Sequence, residues 1–182
     1  LKAEYLNEIG LEYINRLKAI SDNSIYLTDK LPFNFKWIGL IKLILPNAKI
    51  IHCQRNSKDI CFSIFKNFFY SNGVGFAYSF DDIIEYYSLY KDLMLHWNLN
   101  IPNFIYNIRY EDLIHNTKTE VQKLLRYLEL NWDEKCLNFY DSNRPVHTLS
   151  DTQVRKPIYK DSIQNWKYFE KYLPKIFTSL NN

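Results

Sequence analysis

The fold of this chain is decided by the stretch Ile50-Ile-His-Cys-Gln-Arg55-Asn-Ser-Lys-Asp-Ile-Cys-Phe-Ser63. Together with the preceding Lys49, its first half up to Gln54 is a short apolar run of the kind that predicts a buried strand. Asn56 or Ser57 is the expected N-cap of the next element, because short polar side chains accept hydrogen bonds from the first free amides of a helix. The stretch therefore predicts a strand that passes directly into a helix.

The same alternation extends in both directions along the chain. Apolar residues at helical spacing predict further helices over residues 2–20, 33–45, 81–99, 117–129 and 133–140, and Ser162 is the expected cap of a last helix carrying Trp166, Tyr168, Phe169 and Leu173. Two more apolar runs, residues 25–28 and 103–109, predict buried strands. Strands alternating with helices indicate a helix-rich α/β fold with a parallel sheet covered on both faces, and no linker divides residues 1–182 into separate domains.

Composition excludes several classes of function. Hydrophobic residues make up 47% of the 182 residues and charged residues 24%, which is typical of one globular domain. The net charge of +3 is too small and too scattered for a protein that binds nucleic acid, although it suits a small polyanionic ligand. No apolar run is long enough to span a membrane.

Cysteine and histidine add little chemistry. The three cysteines and four histidines share no metal-ligand spacing, so no metal site is predicted. The cysteines form no disulfide framework either, which favours a reducing compartment such as the cytoplasm. The sequence begins with Leu1 inside a helical pattern, and we therefore expect it to be a piece of a longer protein.

Ligands of parallel sheets bind at the carboxyl ends of the strands, where this sequence places its basic residues. Arg55 closes one strand, and Ser63 follows eight residues later in the next helix. A guanidinium, a helix N-terminus and a hydroxyl on one rim together form a phosphate site. The alternative is that Arg55 only pairs with Asp59 while Ser63 faces the core.

Two further segments have candidate chemistry. Lys30 follows the run at residues 25–28 and is held by Pro32, so it is placed to neutralise a departing phosphate; the alternative is an exposed loop lysine. Residues 148–159 gather polar and basic side chains in an irregular segment, which is typical of a loop that closes over a ligand; the alternative is a solvated surface loop.

In this order and spacing, these segments resemble the sulfotransferase superfamily, and especially its bacterial tetratricopeptide-linked branch and the tyrosylprotein sulfotransferases. The matching stretches are Thr28-Asp-Lys-Leu-Pro-Phe-Asn34, Ala48-Lys-Ile-Ile-His52, Arg109-Tyr-Glu-Asp-Leu113, Gln153-Val-Arg-Lys-Pro-Ile-Tyr159, and the closing Ser162, Trp166 and Tyr168-Phe-Glu170. The resemblance implies a P-loop NTPase-like three-layer α/β/α fold. It also implies transfer of a sulfuryl group from PAPS (3′-phosphoadenosine-5′-phosphosulfate) to a hydroxyl acceptor, which is a peptide tyrosine, a carbohydrate or a small molecule.

The resemblance also implies a role for each matching residue. Arg55 and Ser63 correspond to the pair that binds the 3′-phosphate of PAPS, and Lys30 corresponds to the catalytic lysine that stabilises the leaving phosphate. The other implied contacts are Tyr110 with the cofactor, Ser150 with the catalytic lysine, and Arg155 and Lys156 in the loop that closes over the nucleotide.

The sequence departs from the family pattern in three places. It contains no Pro-Arg-Ser-Gly-Thr-Thr-type loop for the 5′-phosphosulfate, since Gly73 and Gly75 follow Arg55 and lie in the wrong place. In the family the usual catalytic base, a Glu or a His, precedes the Thr28 stretch, so this sequence offers no candidate for the base. Asn165 stands where the family frequently has a basic residue. We therefore expect the carboxyl-terminal two-thirds of a sulfotransferase domain, lacking the first strand and loop.

Two alternatives to an active sulfotransferase are a non-catalytic module and a small-molecule kinase. A chain without the 5′-phosphosulfate loop is expected to be inactive by itself, and the alternative function is a non-catalytic α/β module with a partial 3′-phosphate site. A small-molecule kinase would need a Gly-x4-Gly-Lys-Ser/Thr loop and an acidic metal ligand, and neither is visible in the sequence.

Overall fold

The computed structural model describes residues 2–21, 24–69, 73–141, 155, 156, 158 and 163–180. The α-helices are α1 (Ala3–Ile20), α2 (Ile38–Ile44), α3 (Ser57–Lys66), α4 (Phe80–Asn100), α5 (Tyr110–His115), α6 (Thr117–Tyr127) and α7 (Pro174–Ser179). The strands are β1 (Ile50–Gln54) and β2 (Ile105–Arg109). Short 3-10 helices cover Pro32–Trp37, Gly75–Tyr78, Glu134–Cys136, Phe139–Asp141 and Asn165–Tyr168.

The chain divides into two compact units, which are described separately. The first unit comprises residues 1–50 and 90–104, and the second comprises residues 51–89 and 105–182. No helix within the described ranges combines the length and the apolar character needed to cross a membrane.

Helices α1 and α2 pack together in the first unit. Leu6, Ile9, Tyr13 and Leu17 are half-buried along one face of α1, as their spacing predicts, whereas Ile20 is exposed. Gly10 is the fully buried residue of α1, and a Cβ atom there would lie 2.0 Å from the backbone carbonyl oxygen of Ile44. The absence of a side chain at Gly10 is therefore what allows the two helices to approach.

Gly10→Ala should lower the free energy of unfolding by about 1–3 kcal/mol, because the α2 backbone must move to accept the methyl group. Gly75→Ala is the matched control, since a Cβ atom at Gly75 meets no atom within 4 Å. Chemical denaturation of both variants tests this. A Gly10→Ala variant as stable as the Gly75→Ala variant would contradict the packing described here.

The second unit contains a parallel sheet of two neighbouring strands, β1 and β2, in the described part of the chain. The predicted helix-rich α/β class is thus confirmed. The strand predicted at residues 25–28 is wrong: this segment is irregular, and Ile25 and Tyr26 are 89% and 68% exposed. Full burial of β1 is wrong too, since Ile51 and Cys53 are exposed while their neighbours are half-buried.

The core of the second unit is built by α3, α4 and the C-terminal segment, defined as residues 163–180. Two buried clusters fill it: Phe62, Phe80, Trp166 and Phe177 in one, and Cys61, Ile83 and Leu180 in the other. Burial of the Cys61 thiol raises its pKa to about 12, so it remains a neutral apolar group. This core fixes the C-terminal segment against the start of α3.

Predicted helix boundaries agree with the structure for some helices and not for others. Helices α1, α4 and α6 match their predicted spans closely, and α3 begins after Asn56 as expected. The helix predicted at 133–140 is instead two short 3-10 turns. The last predicted helix is also interrupted, because Gln164 adopts a left-handed conformation and Pro174 begins a separate helix. Ser162, its expected cap, lies outside the described residues.

His52 connects the two strands, with its Nδ1 2.7 Å from Asn107 Oδ1. Burial lowers the pKa of His52 below its ordinary 6.5, and the hydrogen bond with Asn107 opposes that shift. The unfolded chain therefore binds a proton more readily than the folded one. The contribution of His52 to stability is complete above pH 6.5 and decreases as the pH falls below it.

His52→Gln should accordingly flatten the pH dependence of the unfolding free energy between about pH 5 and 7. The wild-type chain provides the reference slope. Urea denaturation at several pH values measures both slopes. Equal slopes for His52→Gln and wild type would show that His52 does not titrate differently on folding.

Candidate functional site

Arg55 and Tyr110 come together at the carboxyl ends of the two strands. Strand β1 ends at Gln54 and β2 ends at Arg109, so the next residue of each lies at the same edge of the parallel sheet. The guanidinium carbon of Arg55 is 4.9 Å from the centroid of the Tyr110 ring, within the range of a cation–π contact. The structure thus brings together two of the residues predicted to bind the nucleotide.

Asp59 is the acidic neighbour of Arg55. Its Oδ1 lies 3.9 Å from Arg55 Nη2, and the two side chains are 1% and 25% exposed. Ser63 is half-buried one turn further along α3, on the same face as Asp59, because residues four apart in a helix share a face. The pairing of Arg55 with Asp59, which was the alternative, is therefore formed. The joint role of Arg55 and Ser63 at a phosphate stays a prediction.

The first amides of α3 are already hydrogen-bonded within the protein. Asn56 Oδ1 accepts from the amides of Lys58 and Asp59 at 3.1 and 3.3 Å, which confirms Asn56 as the cap. The Asn56 amide in turn donates to Glu111 Oε1 at 2.8 Å. These three amides therefore have partners within the protein, and a role for the N-terminus of α3 at a phosphate stays a prediction. Arg55 supplies a cation at this edge, and the exposed Arg109 directly precedes Tyr110 at the end of β2.

Lys30 belongs to the first unit, where it is exposed in the irregular segment before Pro32. Its neighbour Asp29 accepts a 2.5 Å hydrogen bond from the Tyr13 hydroxyl. That hydrogen bond raises the pKa of Tyr13 to about 12, with smaller contributions from burial and from the charge of Asp29. Through this hydrogen bond, α1 holds the residue next to Lys30. The catalytic role of Lys30 stays a prediction.

The predicted closing loop is described only in part. Arg155 and Lys156 are exposed in a turn of the second unit. Ser150 lies outside the described residues. The roles expected for these three residues therefore stay predictions.

Sequence reasoning missed several residues that support the site. Glu111 binds the Asn56 amide, Gln164 donates its backbone amide to Asp59 Oδ2 at 2.9 Å, and Lys58 Nζ lies 4.4 Å from the Trp166 ring centroid. The spacing of Arg55 and Asp59, four residues apart at a helix start, signals their pairing. Nothing local signals the contacts with Glu111 or Gln164, which are 55 and 105 residues away from their partners.

The helices and the parallel sheet define this chain as an α/β protein. The arginine and the aromatic ring at the carboxyl ends of its strands are residue types that suit a phosphate-bearing ligand. A family model described as "Sulfotransferase family" matches residues 4–134. The chain therefore belongs to the sulfotransferase family.

Two proteins from other organisms are similar in sequence to this chain. An uncharacterized protein of Aquifex aeolicus (strain VF5) is 36% identical over 170 residues, which cover 92% of this chain and 22% of that protein. A Caenorhabditis briggsae protein named "Putative protein-tyrosine sulfotransferase" is 21% identical over 145 residues, covering 77% of this chain and 51% of that protein. The chain thus spans about a fifth and about half of the lengths of these relatives.

Proposed function

We propose that this chain binds PAPS and takes part in sulfuryl transfer to a hydroxyl acceptor, with Arg55 and Ser63 binding the 3′-phosphate. The observation that carries the proposal is the position of Arg55 at a parallel strand end, over the Tyr110 ring and one residue before the cap of α3, the helix that contains Ser63. A guanidinium offers several donors in a plane, which matches the oxygens of a phosphate. Membership of the sulfotransferase family supports the same ligand.

The proposed reaction is an in-line displacement at sulfur. The acceptor oxygen forms a bond to sulfur while the bond from sulfur to the 5′-phosphate oxygen breaks, and adenosine 3′,5′-bisphosphate leaves. Lys30 offsets the charge that develops on the departing phosphate, and Ser150 contacts Lys30. Arg155 and Lys156 cover the nucleotide, and residues 1–182 act as one domain. The acceptor proton passes to a base that we do not assign.

For the acceptor we propose a peptide tyrosine. The support is the resemblance to the tyrosylprotein branch, together with the name of the nematode relative. A tyrosine-containing peptide is thus the first acceptor to assay, with a carbohydrate as the comparison. Transfer to the carbohydrate alone would move this chain to another branch of the family.

Calorimetry tests the nucleotide site directly. The chain should bind adenosine 3′,5′-bisphosphate at least about 100-fold more tightly than adenosine 5′-monophosphate, because the monophosphate has no 3′-phosphate to bind the half-buried Arg55 guanidinium. The 3′-phosphate discrimination is defined as the ratio of these two affinities. A ratio near one would contradict the proposal.

A second function, nucleotide binding without transfer, is favoured by the exposure and irregular backbone of the segment around Lys30. Catalysis requires a cation held rigidly at the leaving phosphate. Incubating the chain with ³⁵S-labelled PAPS and acceptor separates the two functions. Turnover would eliminate the non-catalytic module, whereas tight nucleotide binding without turnover would support it.

A further inference from the structure

Asp59 makes two contacts that join Arg55 to the C-terminal segment. Its Oδ1 faces Arg55 Nη2 at 3.9 Å, and its Oδ2 accepts a hydrogen bond from the Gln164 amide at 2.9 Å. Asp59 is only 2% exposed. Because a buried charge is costly unless it is paired and hydrogen-bonded, the carboxylate is held by these partners rather than by water.

The C-terminal segment is docked at the first turn of α3 through three successive residues. Ser57 Oγ donates to the Leu180 carbonyl at 3.1 Å, Lys58 lies over the Trp166 ring, and Asp59 accepts from Gln164. Gln164 has φ 62° and ψ 22°, a left-handed conformation uncommon outside glycine, asparagine and aspartate. The geometry of the segment therefore directs the Gln164 amide at the carboxylate.

We propose that Asp59 is a positioning residue for the 3′-phosphate subsite: it orients the Arg55 guanidinium, and the C-terminal segment holds Asp59. The inference rests on the proposed function, since it concerns the same phosphate. Binding of the 3′-phosphate and docking of the C-terminal segment are then thermodynamically linked, and each strengthens the other.

In this arrangement Asp59 orients the Arg55 guanidinium for the phosphate more than it competes with the phosphate for that guanidinium. Arginine has five N–H donors, and Asp59 faces one terminal nitrogen of Arg55 at 3.9 Å, so the pairing with Asp59 does not by itself occupy the guanidinium. Tyr110 supports the guanidinium plane while Asp59 engages one of its terminal nitrogens. A long side chain that is already ordered loses less freedom on binding, which is worth about 3- to 10-fold in affinity.

The test compares Asp59→Asn with wild type. Asparagine keeps an oxygen for the Gln164 amide but removes the charge that attracts Arg55. The 3′-phosphate discrimination should fall about fivefold. Glu12→Gln is the matched control, because Glu12 forms an exposed pair with Arg16 at the same helical spacing, and this variant should retain the wild-type ratio. An unchanged or increased ratio for Asp59→Asn would overturn the inference, since a carboxylate that merely competes with phosphate gives an increase.

A measurement on the wild-type chain covers the case in which Asp59→Asn fails to fold. Adenosine 3′,5′-bisphosphate should slow hydrogen exchange of the Gln164 amide more than adenosine 5′-monophosphate does at equal saturation. Equal protection by both nucleotides would overturn the linkage. Loss of discrimination in Arg55→Ala but not in Asp59→Asn would reject only the positioning role, whereas a wild-type ratio near one would reject the proposed function itself.

Discussion

Arg55→Ala is expected to weaken binding of adenosine 3′,5′-bisphosphate by about 100-fold, equivalent to about 2.7 kcal/mol. The guanidinium is the cation at the end of β1, largely buried and stacked on Tyr110, where its hydrogen bonds to a phosphate are stronger than in water. Affinity for adenosine 5′-monophosphate should change little. Calorimetry with both nucleotides measures the two effects.

Arg109→Ala is the matched control for this experiment. Arg109 is the last residue of β2 and carries the same charge, but its side chain is 61% exposed and faces Glu111 at 4.0 Å. The variant should lose less than about threefold in affinity, because an exposed charge is screened by solvent. Equal losses for both arginines would mean that general charge, rather than a site at Arg55, attracts the nucleotide.

Phe177→Ala should lower the free energy of unfolding by about 3–5 kcal/mol. Phe177 is 1% exposed, and its ring centroid is 5.2 Å from that of Trp166 and 6.2 Å from that of Phe62. Removing the ring opens a cavity between α3 and the C-terminal segment. Urea denaturation followed by Trp fluorescence measures the loss.

Tyr172→Ala provides the comparison within the same segment. It also deletes an aromatic ring, but Tyr172 is 68% exposed, so the expected loss is below about 1 kcal/mol. If Phe177→Ala were as mild as Tyr172→Ala, the C-terminal segment would not be packed on α3 as described. The buried cluster around Phe177 could then not be what holds Trp166 and Gln164 near Asp59.

The elements that could be predicted are those whose causes lie close in sequence. Asn56 caps α3 because its own side chain reaches amides two and three residues ahead. The positions of Arg55 and Ser63 follow from a strand end and a helical repeat. The residues at 25–28 have the composition of a strand, but a strand also needs a hydrogen-bonded neighbour, and composition does not supply one.

The parts of the site that could not be predicted depend on distant residues. Glu111 occupies the Asn56 amide only because β2 lies beside β1, and Gln164 reaches Asp59 only because Trp166 and Phe177 bury the C-terminal segment. Such contacts are set by tertiary packing and leave no periodic signal in the sequence. The family resemblance implies roles for individual residues, but it does not predict that Asp59 accepts a hydrogen bond from the Gln164 amide.

A crystal structure of this chain with adenosine 3′,5′-bisphosphate tests the account most directly. The 3′-phosphate should lie within hydrogen-bonding distance, about 2.7–3.2 Å, of both the Arg55 guanidinium and the Ser63 hydroxyl, with the Gln164 amide still bonded to Asp59. A nucleotide bound elsewhere, or one whose 3′-phosphate points away from Arg55, would contradict it.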